Sequence, residues 1–202
     1  MEPLAPEFAA TTVELEDLEV GVAWVEHADV LVRARVEAAA DLFPRRRAVA
    51  FPEPDDRPAA VFMREAADVH RELYAEHSEA YGEETAGKIE RCLAITDGEY
   101  EEDLRRREEY RERAAEATDR LDLLLTPTLM FVAPKLGLSR EQTDALTRFT
   151  YPFNALGWPA LALPCGPAED GLPASVQLVA PAGADARVLA AGAALERALS
   201  LS

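Results

Sequence analysis

Leu121-Asp-Leu-Leu-Leu-Thr-Pro-Thr-Leu129, Phe149-Thr-Tyr-Pro-Phe-Asn-Ala-Leu-Gly-Trp-Pro-Ala-Leu-Ala-Leu-Pro-Cys-Gly166 and Gly171-Leu-Pro-Ala-Ser-Val-Gln-Leu-Val-Ala-Pro181 decide the fold. Within them, Leu123 to Thr126, Ala160 to Leu163 and Ser175 to Val179 are short apolar runs bounded by Pro and Gly. Strands buried on both faces read this way. Before the second run, Thr150, Pro152, Asn154, Gly157 and Pro159 crowd into a turn whose backbone they fix. A constrained loop opening onto a buried strand is where α/β proteins commonly place a ligand. That argues for a site and names no reaction.

Outward from this stretch, strands and helices alternate. Residues 1–17 read as an extended lead-in, and 18–202 as one domain. Val20 to Val25 is a predicted strand, and Asp29 a predicted cap for a helix that buries Val32, Val36, Ala39 and Phe43. Pro44 should end that helix. Arg45 to Arg47 should lead into a second strand, Ala48 to Phe51, with a turn over 52–58. Pro58 suits the first position of the next helix, whose expected buried stripe is Phe62, Ala66, Val69 and Leu73. A helical piece follows over 83–95. Asp97-Gly98 signals a turn, and a charged helix over 100–120 carries Glu101–Arg105, Glu102–Arg106 and Asp103–Arg107 at i,i+4. A helix so charged is ordinarily a solvated face. Ser139 is a predicted N-cap for a helix reaching Phe149. The closing helix, from near Ala184, should bury Val188, Leu189, Ala193 and Leu195. Five strands alternating with helices predict an α/β fold with a parallel or mixed sheet.

Composition excludes several function classes. With 202 residues, the chain can bury roughly 70% of its unfolded surface as one sizeable domain. A net charge of −17 argues against nucleic acid and anionic membranes, which need concentrated Lys and Arg. No run approaches the roughly 20 apolar residues of a membrane span. The acidic, Pro-broken start Met1-Glu-Pro-Leu-Ala-Pro does not read as a signal peptide, so a cytoplasmic location is expected. Cys92 and Cys165 are too few and too separated for a disulfide framework or zinc site. No cofactor is implied.

The spacing of the central motifs resembles the C-terminal part of the amidase signature family. The matching stretches are Asp122-Leu-Leu-Leu-Thr-Pro127, Thr150-Tyr-Pro-Phe-Asn-Ala-Leu-Gly-Trp-Pro-Ala160, Pro164-Cys-Gly166 and Gly171-Leu-Pro-Ala-Ser-Val-Gln-Leu-Val179. The resemblance is firmest from about Phe62 onward. It implies part of the amidase-signature fold, a mixed sheet of about five strands flanked by helices. It also implies hydrolysis of carbon–nitrogen amide bonds. In the family the Thr-x-Pro-x-Asn turn borders the acyl pocket, so Thr150, Phe153, Asn154 and Trp158 are the substrate-binding candidates. Asn154 is expected to tie the turn's backbone through its side chain, and the whole set can equally be read as shaping a tight approach to the strand. A glutamine-specific amidotransferase branch carries an acidic residue three before the Thr of this turn; here that position is Thr147.

The catalytic set that the resemblance implies, a nucleophilic Ser, a second Ser in a cis peptide and a Lys base, has no match in this chain. Its five serines are Ser78, Ser139, Ser175, Ser200 and Ser202, none in a Gly-rich loop, and its only lysines are Lys88 and Lys135. No catalytic residue is therefore assigned. The chain reads as a C-terminal segment inactive alone, whose partner is the N-terminal amidase portion or a second copy, with a small-molecule amide as substrate. A stand-alone, non-catalytic binding or self-association module is the rival reading. A small hydrolase using Cys165 and a histidine is the third. His70 and His77 are seven apart on one helix and lack the i,i+3 or i,i+4 spacing that shares one metal ion.

Overall fold

A computed structural model describes residues 12–53 and 59–200. Its five strands are β1 (Val20–Val22), β2 (Arg46–Ala48), β3 (Leu123–Pro127), β4 (Ala160–Pro167) and β5 (Pro173–Val179). The helices are α1 (Val30–Ala40), α2 (Ala59–His77), α3 (Glu83–Leu93), α4 (Asp97–Ala117), α5 (Arg140–Ala145), α6 (Tyr151–Leu156) and α7 (Asp185–Ser200). The chain divides into two compact units, Met1–Asp55 with Arg113–Ser202, and Asp56–Glu112.

The first unit holds a mixed sheet in the order β2-β1-β3-β5-β4. β1 is parallel to both β2 and β3, whereas β5 runs antiparallel to β3 and β4. Because side chains alternate along a strand, each strand sorts its residues between two faces. Val20, Leu123, Leu125, Val176 and Leu178 meet Val32 and Val36 of α1 and Val188 and Leu195 of α7 in one core. Each such fully buried aliphatic contributes about 1.5–3 kcal/mol relative to exposure. The other face carries Leu124, Thr126, Gln177 and Val179, all buried, and Ala160, Ala162 and Pro164, all exposed.

Several local expectations hold. Leu123–Pro127 is buried throughout, as a central strand should be. Ser139 caps α5 through a capping box, its Oγ accepting from the Gln142 amide while the Gln142 side chain accepts from the Ser139 amide. Val32, Val36, Ala39 and Phe43 are buried together, although Phe43 lies past the end of α1.

Others are corrected. Arg46 and Arg47 are in β2 rather than leading into it, because this exposed edge strand pairs through its backbone and lets both side chains reach solvent. β1 stops at Val22 and Trp24 turns left-handed (φ 63°). Asp29 stands at the N-cap of α1 without a side-chain cap bond; its amide instead donates to the Met130 carbonyl at 2.7 Å. Asp97-Gly98 opens α4 instead of making a turn. β4 is not buried on both faces, because it borders the sheet among the described strands and Ala160 and Ala162 are exposed. In α7, Leu189 is 44% exposed and Ala193 is exposed, while Ala191 and Ala194 are buried beside Val188 and Leu195. The expected turn over 52–58 and the expected role of Pro58 fall largely outside the described residues.

The second unit shows the largest reversal. Phe62, Val69 and Leu73 are 56%, 77% and 51% exposed, while Val61 and Ala67 are buried. The helix lays its more polar side on its neighbours, and ion pairs and hydrogen bonds hold it there. Arg64 bonds Asp97 of α4 at 2.7 Å, Asp103 of α4 accepts from the Ala60 amide at 2.7 Å, and Tyr74 donates to Glu90 of α3 at 2.9 Å. Asp103 and Arg107 are not the i,i+4 pair the spacing suggested; Asp103 pairs with Arg106 at 2.8 Å and Arg107 with Glu65 at 3.7 Å.

Candidate functional site

The motif turn before β4 folds as a short helix, α6, rather than as an open turn. Pro152 sits at its second position, where a missing N–H costs nothing. Gly157 ends it in the left-handed region (φ 70°), which only glycine occupies without steric cost. Thr150 stands at the N-cap with its hydroxyl 3.4 Å from the Thr147 carbonyl. Asn154 is exposed, and its main-chain carbonyl closes the helix by accepting from the Gly157 amide at 3.1 Å.

What anchors this helix is an aromatic cluster. Trp24 follows β1, Phe51 follows β2, and Phe149 and Phe153 flank the start of α6. Trp24 lies 5.3 Å from Phe51, 5.7 Å from Phe149 and 5.4 Å from Phe153 between ring centroids. Phe153 lies 6.0 Å from Phe51, and half-buried Trp158 is 6.1 Å from Phe51. Among the four candidates, Phe153 is thus a buried anchor, Trp158 covers the cluster's edge, Thr150 is half-buried and Asn154 is exposed. Beside the cluster, His27 Nε2 lies 3.0 Å from Glu53 Oε2.

One polar group joins this layer to the sheet. Gln177, buried on β5 opposite Thr126 of β3, donates from Nε2 to Thr126 Oγ1 at 3.1 Å and to the Phe149 carbonyl at 3.2 Å. Thr126 Oγ1 in turn donates to the Pro127 carbonyl at 3.1 Å. The amide therefore fixes the backbone immediately before Thr150. A glutamine inside the apolar run Val176-Gln-Leu-Val179 was the available signal, since a buried amide must find partners. Trp24 and Phe51 carried none, being isolated aromatics far apart in sequence.

Among the other candidate nucleophiles, Ser175, Ser200 and Lys88 are occupied and Cys165 is neutral. Ser175 Oγ donates to the Leu163 carbonyl at 3.2 Å and shares a bond with Thr128 Oγ1 at 2.9 Å. Ser200 Oγ donates to the Glu196 carbonyl at 2.9 Å. Lys88 Nζ pairs with Glu84 at 2.6 Å, which holds that carboxyl below its usual range. Cys165 faces a cleft of about 500 Å³ whose lining includes Arg35, Leu42, Leu163 and Glu196 but none of Thr150, Phe153, Asn154 or Trp158. Burial pushes its thiol up to about 11 from an ordinary 9.0, so it stays protonated at neutral pH. This opposes its use as a nucleophile. Two results follow. Alkylation of Cys165 by iodoacetamide at pH 8 should run far slower than that of an unfolded thiol. Because the folded-state value is raised, its contribution to stability is complete below pH 9 and is lost as pH rises toward about 11. Rapid stoichiometric labelling of the native chain at pH 8 would contradict the burial. Among the described residues no group of His, Cys, Asp and Glu could hold a metal ion, and no helix is long and apolar enough to cross a membrane.

The amidase family model matches residues 8–189. The chain belongs to the amidase family. Among its relatives is a glutamyl-tRNA(Gln) amidotransferase subunit of Wolinella succinogenes, 31% identical over 140 residues, covering 65% of this chain and 31% of that protein. The corresponding protein of Paenarthrobacter aurescens is 45% identical over 84 residues, 39% of this chain and 16% of its own length. A crystal structure of an amidase superposes with a TM-score of 0.78 at 30% identity, covering 93% of this chain and 46% of that one. A component of a complex described as revealing the origins of an s-triazine catabolic enzyme superposes with a TM-score of 0.80, at 23% identity, over 98% of this chain and 46% of that one. The latter likeness is one of fold alone. This amidase-family chain thus spans about half the length of these solved structures and a third or less of these curated relatives.

Proposed function

We propose that this chain is the C-terminal segment of an amidase-signature hydrolase acting on carbon–nitrogen amide bonds, and that it supplies a wall of the acyl pocket while the attacking groups lie on another segment. The observation that carries the reading is the asymmetry of coverage: nearly all of this chain superposes on an amidase, yet it accounts for 46% of that structure. In this arrangement Thr150 and Trp158 present polar and aromatic surface to the amide substrate. Phe153 holds α6 against the sheet, and Asn154 lies at the pocket's outer border. The exposed apolar face of Ala160 and Ala162 on β4 is where more of the sheet-and-helix assembly would pack.

Acyl transfer by this logic needs an activated serine and positioned donors for the oxyanion. The hydroxyls of Ser139, Ser175 and Ser200 are instead engaged in a helix cap and in side-chain and main-chain bonds. The test is hydrolysis of a simple aryl amide, followed through the released aniline. The chain alone should give no rate above buffer, and co-expression with an amidase N-terminal half bearing the Gly/Ser-rich stretch should restore turnover. Unaided hydrolysis by the chain would overturn the proposal, as would a rate no greater than that of the N-terminal half alone.

A further inference from the structure

The sheet ends in two strands of opposite character. β2 is three residues long, and Arg46 and Arg47 stand exposed on it. Short length and charged side chains are devices by which a sheet edge avoids pairing with another chain. β4, at the other border among the described strands, is eight residues long and carries no charge. Its irregularity comes late, between Pro164 and Gly166, so residues 160–163 form a regular, unguarded edge.

The ladder fixes which main-chain groups face outward. The Pro159 carbonyl accepts from the Ala180 amide at 3.3 Å, and further along β4 Leu161 pairs with Leu178 and Leu163 with Val176. Bonded pairs alternate with non-bonded ones in an antiparallel ladder. Leu161 and Leu163 therefore turn their N–H and C=O groups toward β5, and Ala160 and Ala162 turn theirs away from it. The far side of β5 agrees: the Thr128 amide donates to the Ser175 carbonyl at 2.9 Å, which leaves Val176 and Leu178 for β4. Both alanines are exposed, and their small side chains let another backbone approach. The edge is also held in place. Leu161 packs so closely on α7 that a β-carbon on Gly192 would lie 2.1 Å from its Cδ2. A strand fixed in advance loses little freedom when another joins it.

We propose that this edge of β4 is the docking surface for the N-terminal amidase portion, which adds a strand to the sheet through main-chain hydrogen bonds to Ala160 and Ala162. This joint presupposes the C-terminal-segment reading above and names the strand through which the two portions meet. Two observations favour that occupant. The chain lies almost wholly within the amidase it superposes on yet covers 46% of it, so more than half of that structure has to attach somewhere, and β2 is the guarded edge. A second copy would bring the same net charge of −17, and the two would repel. In strand addition the main-chain bonds give affinity and the alternate side chains give specificity.

Amide exchange followed by NMR tests the joint, on the full 202-residue chain alone and with a purified amidase N-terminal half bearing the Gly/Ser-rich stretch. In the free chain the Leu161 and Leu163 amides should be protected, and those of Ala160 and Ala162 should exchange fast. In the complex Ala160 and Ala162 should slow by at least about tenfold, an alternation that general packing would not produce. Ala162→Pro deletes an outward N–H at an edge position that tolerates proline and should weaken association by at least about tenfold. Ala162→Asp keeps the N–H, places a charge on the edge and should weaken it too, which covers a proline variant that fails to fold. Arg47→Ala, on the opposite edge, should leave association unchanged. A complex in which Ala160 and Ala162 keep their free-chain exchange rates would overturn the joint while leaving the segment reading standing. So would one whose affinity neither substitution of Ala162 lowers. No complex with the unsubstituted chain would overturn both.

Discussion

Trp24→Ala should lower the unfolding free energy by about 4 kcal/mol, the range of buried Trp and Phe truncations. The indole is 2% exposed and touches Phe51, Phe149 and Phe153 at once. Its removal empties the middle of the layer that seats α6 on the sheet. Alanine keeps a β-carbon in the left-handed backbone at φ 63°, so the mutation relieves no strain while losing the ring. Trp24→Phe is the informative companion. It retains most ring contacts and deletes the indole N–H, which is buried without a hydrogen-bond partner among the described residues. Its expected cost is about 1 kcal/mol, since the smaller ring leaves a void but removes an unsatisfied donor. Urea denaturation followed by far-UV circular dichroism measures both. If Trp24→Ala cost no more than Trp24→Phe, the cluster would not be the support described.

Gln177→Met should cost about 2 kcal/mol, or about 4–8 °C in Tm for a chain of this size. Methionine matches the length of the side chain, so the loss is polar. The Phe149 carbonyl is left buried without its donor, and Thr126 Oγ1 loses the bond it accepts. The effect should be local as well as global, with amide exchange over 149–156 accelerating more than over α1 or α7. Gln177→Glu should be worse at neutral pH, because a buried carboxylate faces the Phe149 carbonyl, which cannot donate, and the Thr126 hydroxyl, whose proton is given to the Pro127 carbonyl. Its carboxyl is thereby held above its usual range, so this variant should gain stability as pH falls and a proton restores one donor. Equal Tm for wild type and Gln177→Met would remove Gln177 as the tie between sheet and turn. In the amidase reading Gln177 is a positioning residue, acting on the pocket wall through the backbone before Thr150.

The same residues indicate how much was legible beforehand. The all-buried run Leu123–Pro127, the Ser139 capping box and the α1 stripe follow from patterns of two to four residues, and local rules read those directly. The motif turn was legible as a fixed backbone but not as a helix, because Pro152 and Gly157 suit a turn as well as the start and end of α6. Gln177 stood inside a quoted motif, yet its partners Thr126 and Phe149 lie 51 and 28 residues away, beyond the reach of any local pattern.

The α2 stripe went the other way. Its period was read correctly and its burial was not. Periodicity says that a helix has an apolar face; it does not say what covers it. Arg64, Tyr74 and the Ala60 amide found Asp97, Glu90 and Asp103 on neighbouring helices, and that directed the other side of α2 inward. Local sequence thus determined the strand–helix alternation, the central strand, the family motifs and the want of a Gly-rich serine loop. Only the tertiary structure decided which apolar faces are covered, that Trp24, Phe51 and Phe153 converge, and that β4 lies at the sheet's border. Each of those depends on residues distant along the chain competing for the same neighbours, and free energy is settled among all of them together.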